Sequence, residues 1–154
     1  MWRNFATQKI ELWTMDNTTR VGVIVPTPDQ AVDLNWEIVG AQDWNADGNT
    51  DFLWYNPDSG KIVLWFMDAT AVRITGLFTT PANAGDNNWR ALAMGDYGAG
   101  PGGLPDTKDI VWRNATSGNF VVWYMDAAGN RTFGTFTTPV APPTPLNYTI
   151  VGPR

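Results

Sequence analysis

The 154-residue chain has no cysteine and no histidine. The first absence excludes disulfides, thiolate metal sites and a cysteine nucleophile. The second removes the commonest general base and the usual zinc or iron ligand, and with them most hydrolase triads and transition-metal chemistries. Basic residues are scarce: 10 Lys and Arg stand against 15 Asp and Glu, a formal net charge of −5. Such a surface has no general attraction for nucleic-acid phosphates or anionic membranes, so neither partner is expected. No apolar run reaches the roughly 18 residues of a membrane-spanning helix. The start, Met1-Trp2-Arg3-Asn4, lacks the residue order of a signal peptide. What the chain has in quantity is aromatic side chains, nine of them Trp, within 44% apolar residues. That is enough for one packed domain without staples.

The aromatics fall in a repeat. Trp54-Tyr55-Asn56 followed by Ile62-Val63-Leu64-Trp65-Phe66-Met67-Asp68 returns downstream as Trp112-Arg113-Asn114 and Phe120-Val121-Val122-Trp123-Tyr124-Met125-Asp126. Upstream it reads Trp2-Arg3-Asn4 and Ile10-Glu11-Leu12-Trp13-Thr14-Met15-Asp16. The offsets are 52 and 58 residues, and Trp36, Trp89 and Tyr148 recur at 53 and 59. Each copy reads as four short strands, in the middle copy near 36–42, 51–56, 61–67 and 72–79, with no helical period. The third strand is apolar on both alternating faces and must be covered on both. Three copies of this kind predict an all-β fold, a β-propeller of four-stranded antiparallel blades with three blade equivalents per chain. A β-sandwich of 12 strands is the competing architecture. Aromatics at every equivalent position are what packing between blades requires, so the Trp residues are expected in the core more than on a sugar-binding platform. Arg20, Arg73 and Arg131 follow Asp16, Asp68 and Asp126 by four or five residues, which reads as ion pairs across a hairpin.

Between the first two strands of the middle copy lies Asp43-Trp44-Asn45-Ala46-Asp47-Gly48-Asn49-Thr50-Asp51. Side-chain oxygens at loop positions 1, 3, 5 and 9, with a glycine at 6, suit a calcium ion, which takes six to eight oxygen ligands. Asn49 is placed to add its backbone carbonyl. An EF-hand would need a glutamate where this chain has Trp54, so the loop is of a strand-loop-strand kind. An ordinary Asx-rich turn is the plainer alternative.

Val39-Gly40 leading into Asp43-x-Asn45-x-Asp47-Gly48-x-x-Asp51 and Phe52-Leu53-Trp54-Tyr55-Asn56 resembles the FG-GAP/VCBS-type β-propeller repeats of bacterial surface and secreted proteins and of the integrin α-chain head. The resemblance covers essentially the whole chain. It implies calcium in the first hairpin of a blade, held by Asp43, Asn45, Asp47, Asn49 and Asp51. It implies a binding or scaffolding role without catalysis, and a place outside the cytoplasm. The second loop departs from the pattern: Asp96 and Asp109 match Asp43 and Asp51, but five residues are inserted and positions 3 and 5 are lost. Asp106 is the candidate substitute there, and Lys108 adds a positive charge that opposes a metal.

The repeat divides the single domain, residues 1–154, into a partial blade 1–28 and blades 35–81 and 88–139, with a strand at 147–152 to complete the first. That strand reads as a first strand without a second. Donated to the partial blade of another chain, it would make a homodimer of six blades; a longer repeat protein and a three-bladed closure are the alternatives. A carbohydrate-binding lectin with aromatics exposed between blades is the rival function.

Overall fold

The computed structural model describes residues 1–4, 6–98 and 108–142, and among them there is no helix. Three antiparallel sheets follow one another along the chain. The first contains β1 (Trp2–Arg3), β2 (Ile10–Asp16) and β3 (Thr19–Ile24). The second contains β4 (Glu37–Gln42), β5 (Asp51–Tyr55), β6 (Ile62–Met67) and β7 (Arg73–Phe78). The third contains β8 (Trp89–Gly95), β9 (Asp109–Asn114), β10 (Phe120–Met125) and β11 (Arg131–Phe136). Within each sheet the strands neighbour one another in chain order. Three all-β sheets are thus present; residues 147–152, read as the strand that completes the first sheet, lie outside the described residues.

Local chemistry explains why the hairpins turn where they do. Asn56 accepts the backbone N–H groups of Asp58 and Ser59, and Asn114 those of Thr116 and Ser117. Asn4 does the same for Ala6 and Thr7. These are Asx turns, in which a short side chain stands in for a backbone acceptor. Each closes four residues later on a left-handed residue: Gly60 and Gly118 in two copies, Gln8 in the first. A second Asx turn joins the third and fourth strands of the second and third sheets. Asp68 accepts from Thr70 and Val72, and Asp126 from Ala128 and Asn130.

Those turns correct the ion-pair expectation. Asp68 and Asp126 are occupied by turn N–H groups, and the arginines go elsewhere. The guanidinium of Arg20 lies over the Trp13 ring, Arg73 over Trp65 and Arg131 over Trp123, at 4.7, 4.6 and 4.7 Å from the centroids. Among the described residues the one salt bridge joins Lys9 and Asp29.

Alternation places Phe52, Trp54, Val63, Trp65 and Met67 on one face of the second sheet, against Ile10, Leu12 and Ala31 of the first copy. The other face, with Leu53, Tyr55, Ile62 and Leu64, meets Met94, Ile110, Trp112, Trp123 and Met125 of the third sheet. Both β5 and β6 are covered on both sides, as the apolar sequence of β6 requires.

Neighbouring sheets are joined in the same way twice. The Thr27 N–H donates to the Ala71 carbonyl and the Arg73 N–H to the Thr27 carbonyl; Thr80 makes the same pair with Gly129 and Arg131. A side chain from β1 or β5 also reaches the start of the next copy. Arg3 donates to the Trp36 carbonyl at 2.6 Å, and the Tyr55 hydroxyl to the Trp89 carbonyl at 3.0 Å.

Candidate functional site

The loop 43–51 joins β4 to β5 and is a closed set of hydrogen bonds. Asp43 accepts the N–H groups of Asp47 and Gly48 through its two carboxylate oxygens, at 3.1 and 2.9 Å. Asp47 accepts the Asn49 N–H at 2.8 Å and the Asn45 amide at 3.0 Å. The Asn45 side-chain oxygen accepts from the Asp47 N–H. Ala46 and Gly48 carry positive φ values of 62° and 86°, and this pair of left-handed residues folds the loop back on itself.

Asp51 is set apart from the others. It is 1% exposed, and its two oxygens accept from the Trp44 N–H at 3.0 Å and the Met67 N–H at 2.9 Å. It therefore ties the start of the loop to the end of β6. Burial pushes its carboxyl above the ordinary value of 3.8; the two backbone N–H groups pull against that, and the nearby charges of Asp47 and Asp43 add to it.

The third sheet repeats the device. Asp109 is 2% exposed and accepts from the N–H groups of Tyr97 and Met125, at 3.0 and 3.2 Å. Burial raises its carboxyl too, opposed by those hydrogen bonds. Asp96 accepts from the Gly98 N–H; Asp106 lies outside the described residues. The buried aspartate thus persists in a loop that has lost positions 3 and 5. Spacing marks it as a ligand position, while its surroundings give it a structural role, since it satisfies two buried N–H groups.

The donor set of the loop fits calcium in kind, being all oxygen, from the carboxylates of Asp43, Asp47 and Asp51 and the amides of Asn45 and Asn49, with Asp43 and Asp47 reachable from solvent. A carboxylate oxygen that accepts one N–H keeps a second lone pair. Among the described residues, no three acidic side chains are gathered where they would hold a metal ion.

The tryptophans divide by sheet. Trp44, Trp54, Trp65, Trp112 and Trp123 are buried, whereas Trp2 is 57% exposed. Trp13, Trp36 and Trp89 are half-buried. The core expected of the tryptophans thus holds for these five, whereas Trp13, Trp36 and Trp89 are only partly covered and Trp2 departs from it. Two equivalent clefts open beside the buried pairs. One of about 210 Å³ is lined by Trp36, Trp54, Val63 and Trp65, the other of about 120 Å³ by Trp89, Trp112, Val121 and Trp123. The indole N–H groups of Trp54 and Trp112 are buried without a hydrogen-bond acceptor.

No family model, curated protein or solved structure matches the chain. Among the described residues no helix is long and apolar enough to cross a membrane.

Proposed function

We propose that the three sheets are blades of a β-propeller of the FG-GAP/VCBS kind, a non-catalytic module that binds or scaffolds another macromolecule. The observation that carries this reading is the repeated joint between sheets, Thr27 with Ala71 and Arg73, then Thr80 with Gly129 and Arg131. A joint that recurs with the same atoms relates each sheet to the next by the same operation, which is how repeat architectures grow. No nucleophile–base pair of the histidine or cysteine type exists in the chain to suggest catalysis.

In this reading calcium steadies the loop 43–51. Asp43, Asn45, Asp47 and Asn49 would hold it, with Asp51 behind them. The cation would offset the charges of Asp43 and Asp47, which bear on the buried Asp51. The residues' own work is to fix the entry to β5 and so the edge of the blade. The test is a thermal melt of metal-free protein with and without calcium, for the wild type and Asp47→Ala. A calcium-dependent rise in the wild type that vanishes in the variant is the expected result; identical curves for the wild type remove calcium from the reading.

A carbohydrate-binding lectin is the second reading, favoured by the two clefts beside the half-exposed Trp36 and Trp89. The C–H faces of sugars stack on indoles. Binding of simple sugars that is lost in Trp36→Ala and Trp89→Ala would select it over scaffolding.

A further inference from the structure

The first sheet shows the tryptophan face that its neighbours bury. Trp2, Trp13 and Met15 stand where Trp54, Trp65 and Met67 stand in the second sheet, and Trp112, Trp123 and Met125 in the third. The latter six are at most 6% exposed, because each set lies under the preceding sheet. In the first sheet Trp2 is 57% and Met15 51% exposed. The third sheet shows the opposite half. Trp44 is fully buried between the second and third sheets, where its indole N–H donates to the Asp126 carbonyl at 3.2 Å. Tyr97, its counterpart one repeat later, is 45% exposed. Thr138 is the counterpart of Thr27 and Thr80.

We propose that these two open faces are the halves of a further joint, made between two copies of this chain. This rests on the reading of the sheets as blades and adds the partner. Among the described residues the backbone bridges between sheets are Thr27 with Val72 and Thr80 with Asn130, and none joins the third sheet to the first. The two joints already present define what the face of the third sheet fits: a Trp-Trp-Met face followed by an Asp-headed hairpin and an arginine. The first sheet carries that set as Trp2, Trp13, Met15, Asp16 and Arg20. Tyr97 of one copy then meets the Asp16 carbonyl of the other, as Trp44 meets that of Asp126. Thr138 takes the backbone around Arg20, as Thr80 takes that around Arg131. The hairpin at Asp16 is one residue shorter than its counterparts, and Arg20 keeps its register opposite Met15. Used reciprocally, two such joints give six sheets, within the range of four to eight for closed propellers, and leave neither face open.

The experiment measures solution mass for the full chain and for two surface variants, Met15→Arg and Tyr97→Arg. Each variant spoils one face and leaves the other intact. The wild type should have twice the 17.0 kDa mass of the chain. Each variant alone should be a monomer, and an equimolar mixture should regain a 1:1 pair through its one undamaged joint. A monomeric wild type overturns the proposal, as do variants that remain dimers, a mixture that stays monomeric, or a wild-type mass that climbs past two copies. Unchanged circular dichroism of the variants shows that lost association is not lost folding. A monomer that still melts higher with calcium refutes this joint while leaving the blade reading intact.

Discussion

The first and second sheets carry the same motif in different surroundings. Trp2 and Trp13 pack at 4.5 Å between ring centroids, and Trp54 and Trp65 at 4.7 Å, each pair with an arginine over its second ring. The local arrangement is therefore a property of the hairpin. Burial is a property of the neighbour: Trp54 is 1% exposed beneath the first sheet, whereas Trp2 is 57% exposed. The motif supplies the geometry, and the neighbouring sheet supplies the burial.

Truncation in each sheet separates the two contributions. Trp65→Ala should destabilise by about 3–5 kcal/mol, as large aromatic truncations in a core do. Trp2→Ala should stay within about 0.5 kcal/mol, the usual range for an exposed position. Urea unfolding at a dilution where the chain is monomeric measures both. Equal losses would mean that the motif itself, and not its covering, carries the stability.

A second effect separates Asp51 from the other acids of its loop. Asp51→Ala leaves the N–H groups of Trp44 and Met67 without acceptors, at about 1–3 kcal/mol for each buried orphan. Asp109→Ala should cost a similar amount, while Asp43→Ala, in the outer part of the loop, should cost less. The pH dependence gives a further check. A carboxyl whose folded pKa is raised contributes stability that is fully present below its unfolded value, near 3.8, and is lost as pH rises through the folded value. The penalty of Asp51→Ala in metal-free protein should thus be largest below pH 3.8 and shrink above it. A penalty that grows with pH would mean that the loop holds the anion more strongly than burial disfavours it.

How much of this was legible in the sequence follows from what each signal depends on. The strands were, because period-two alternation and the Asn and Asp turns are local: the expected 61–67 is observed as Ile62–Met67. The buried role of Asp51 was not, since spacing gives loop position and not the direction in which a carboxylate points. The partners of Arg73 and Arg131 were hidden for a related reason. Thr70, Val72, Ala128 and Asn130 already fill Asp68 and Asp126, and that competition shows only in three dimensions. The exposure of Trp2 depends on a neighbour that no local pattern describes.

Calcium offers a graded test of the loop against its altered counterpart after β8. A cation bound only by the folded chain stabilises it by about 2.7 kcal/mol at a hundredfold excess over its dissociation constant. In the proposed reading that gain should survive Asp96→Ala and vanish in Asp43→Ala, because only the first loop keeps positions 3 and 5. Isothermal titration should then count one ion per chain. Two ions, or a gain that depends on Asp96, would put a working site in the second loop despite its insertion.

The smallest effect tests the arginines. A solvent-exposed guanidinium seated over an indole contributes about 0.5–1 kcal/mol, and Arg73→Ala should cost about that much. The stem of an arginine also covers apolar surface, so Arg73→Met, which keeps bulk and removes charge, divides packing from the cation–π contact. Salt separates this contact from the ion pair expected on sequence grounds. A surface pair of Arg73 with Asp68 would weaken as ionic strength rises, since screening acts within about 10 Å at 0.1 M. A guanidinium seated on Trp65 has its partner in a neutral ring, so the cost of Arg73→Ala should change little between low and high salt. The double-mutant cycle should couple Arg73 to Trp65 and leave it uncoupled from Asp68; coupling to Asp68 would restore the ion pair. In the first sheet, Arg20→Ala should give the same small loss, because its guanidinium lies 4.7 Å from the Trp13 centroid whether or not another sheet covers the face.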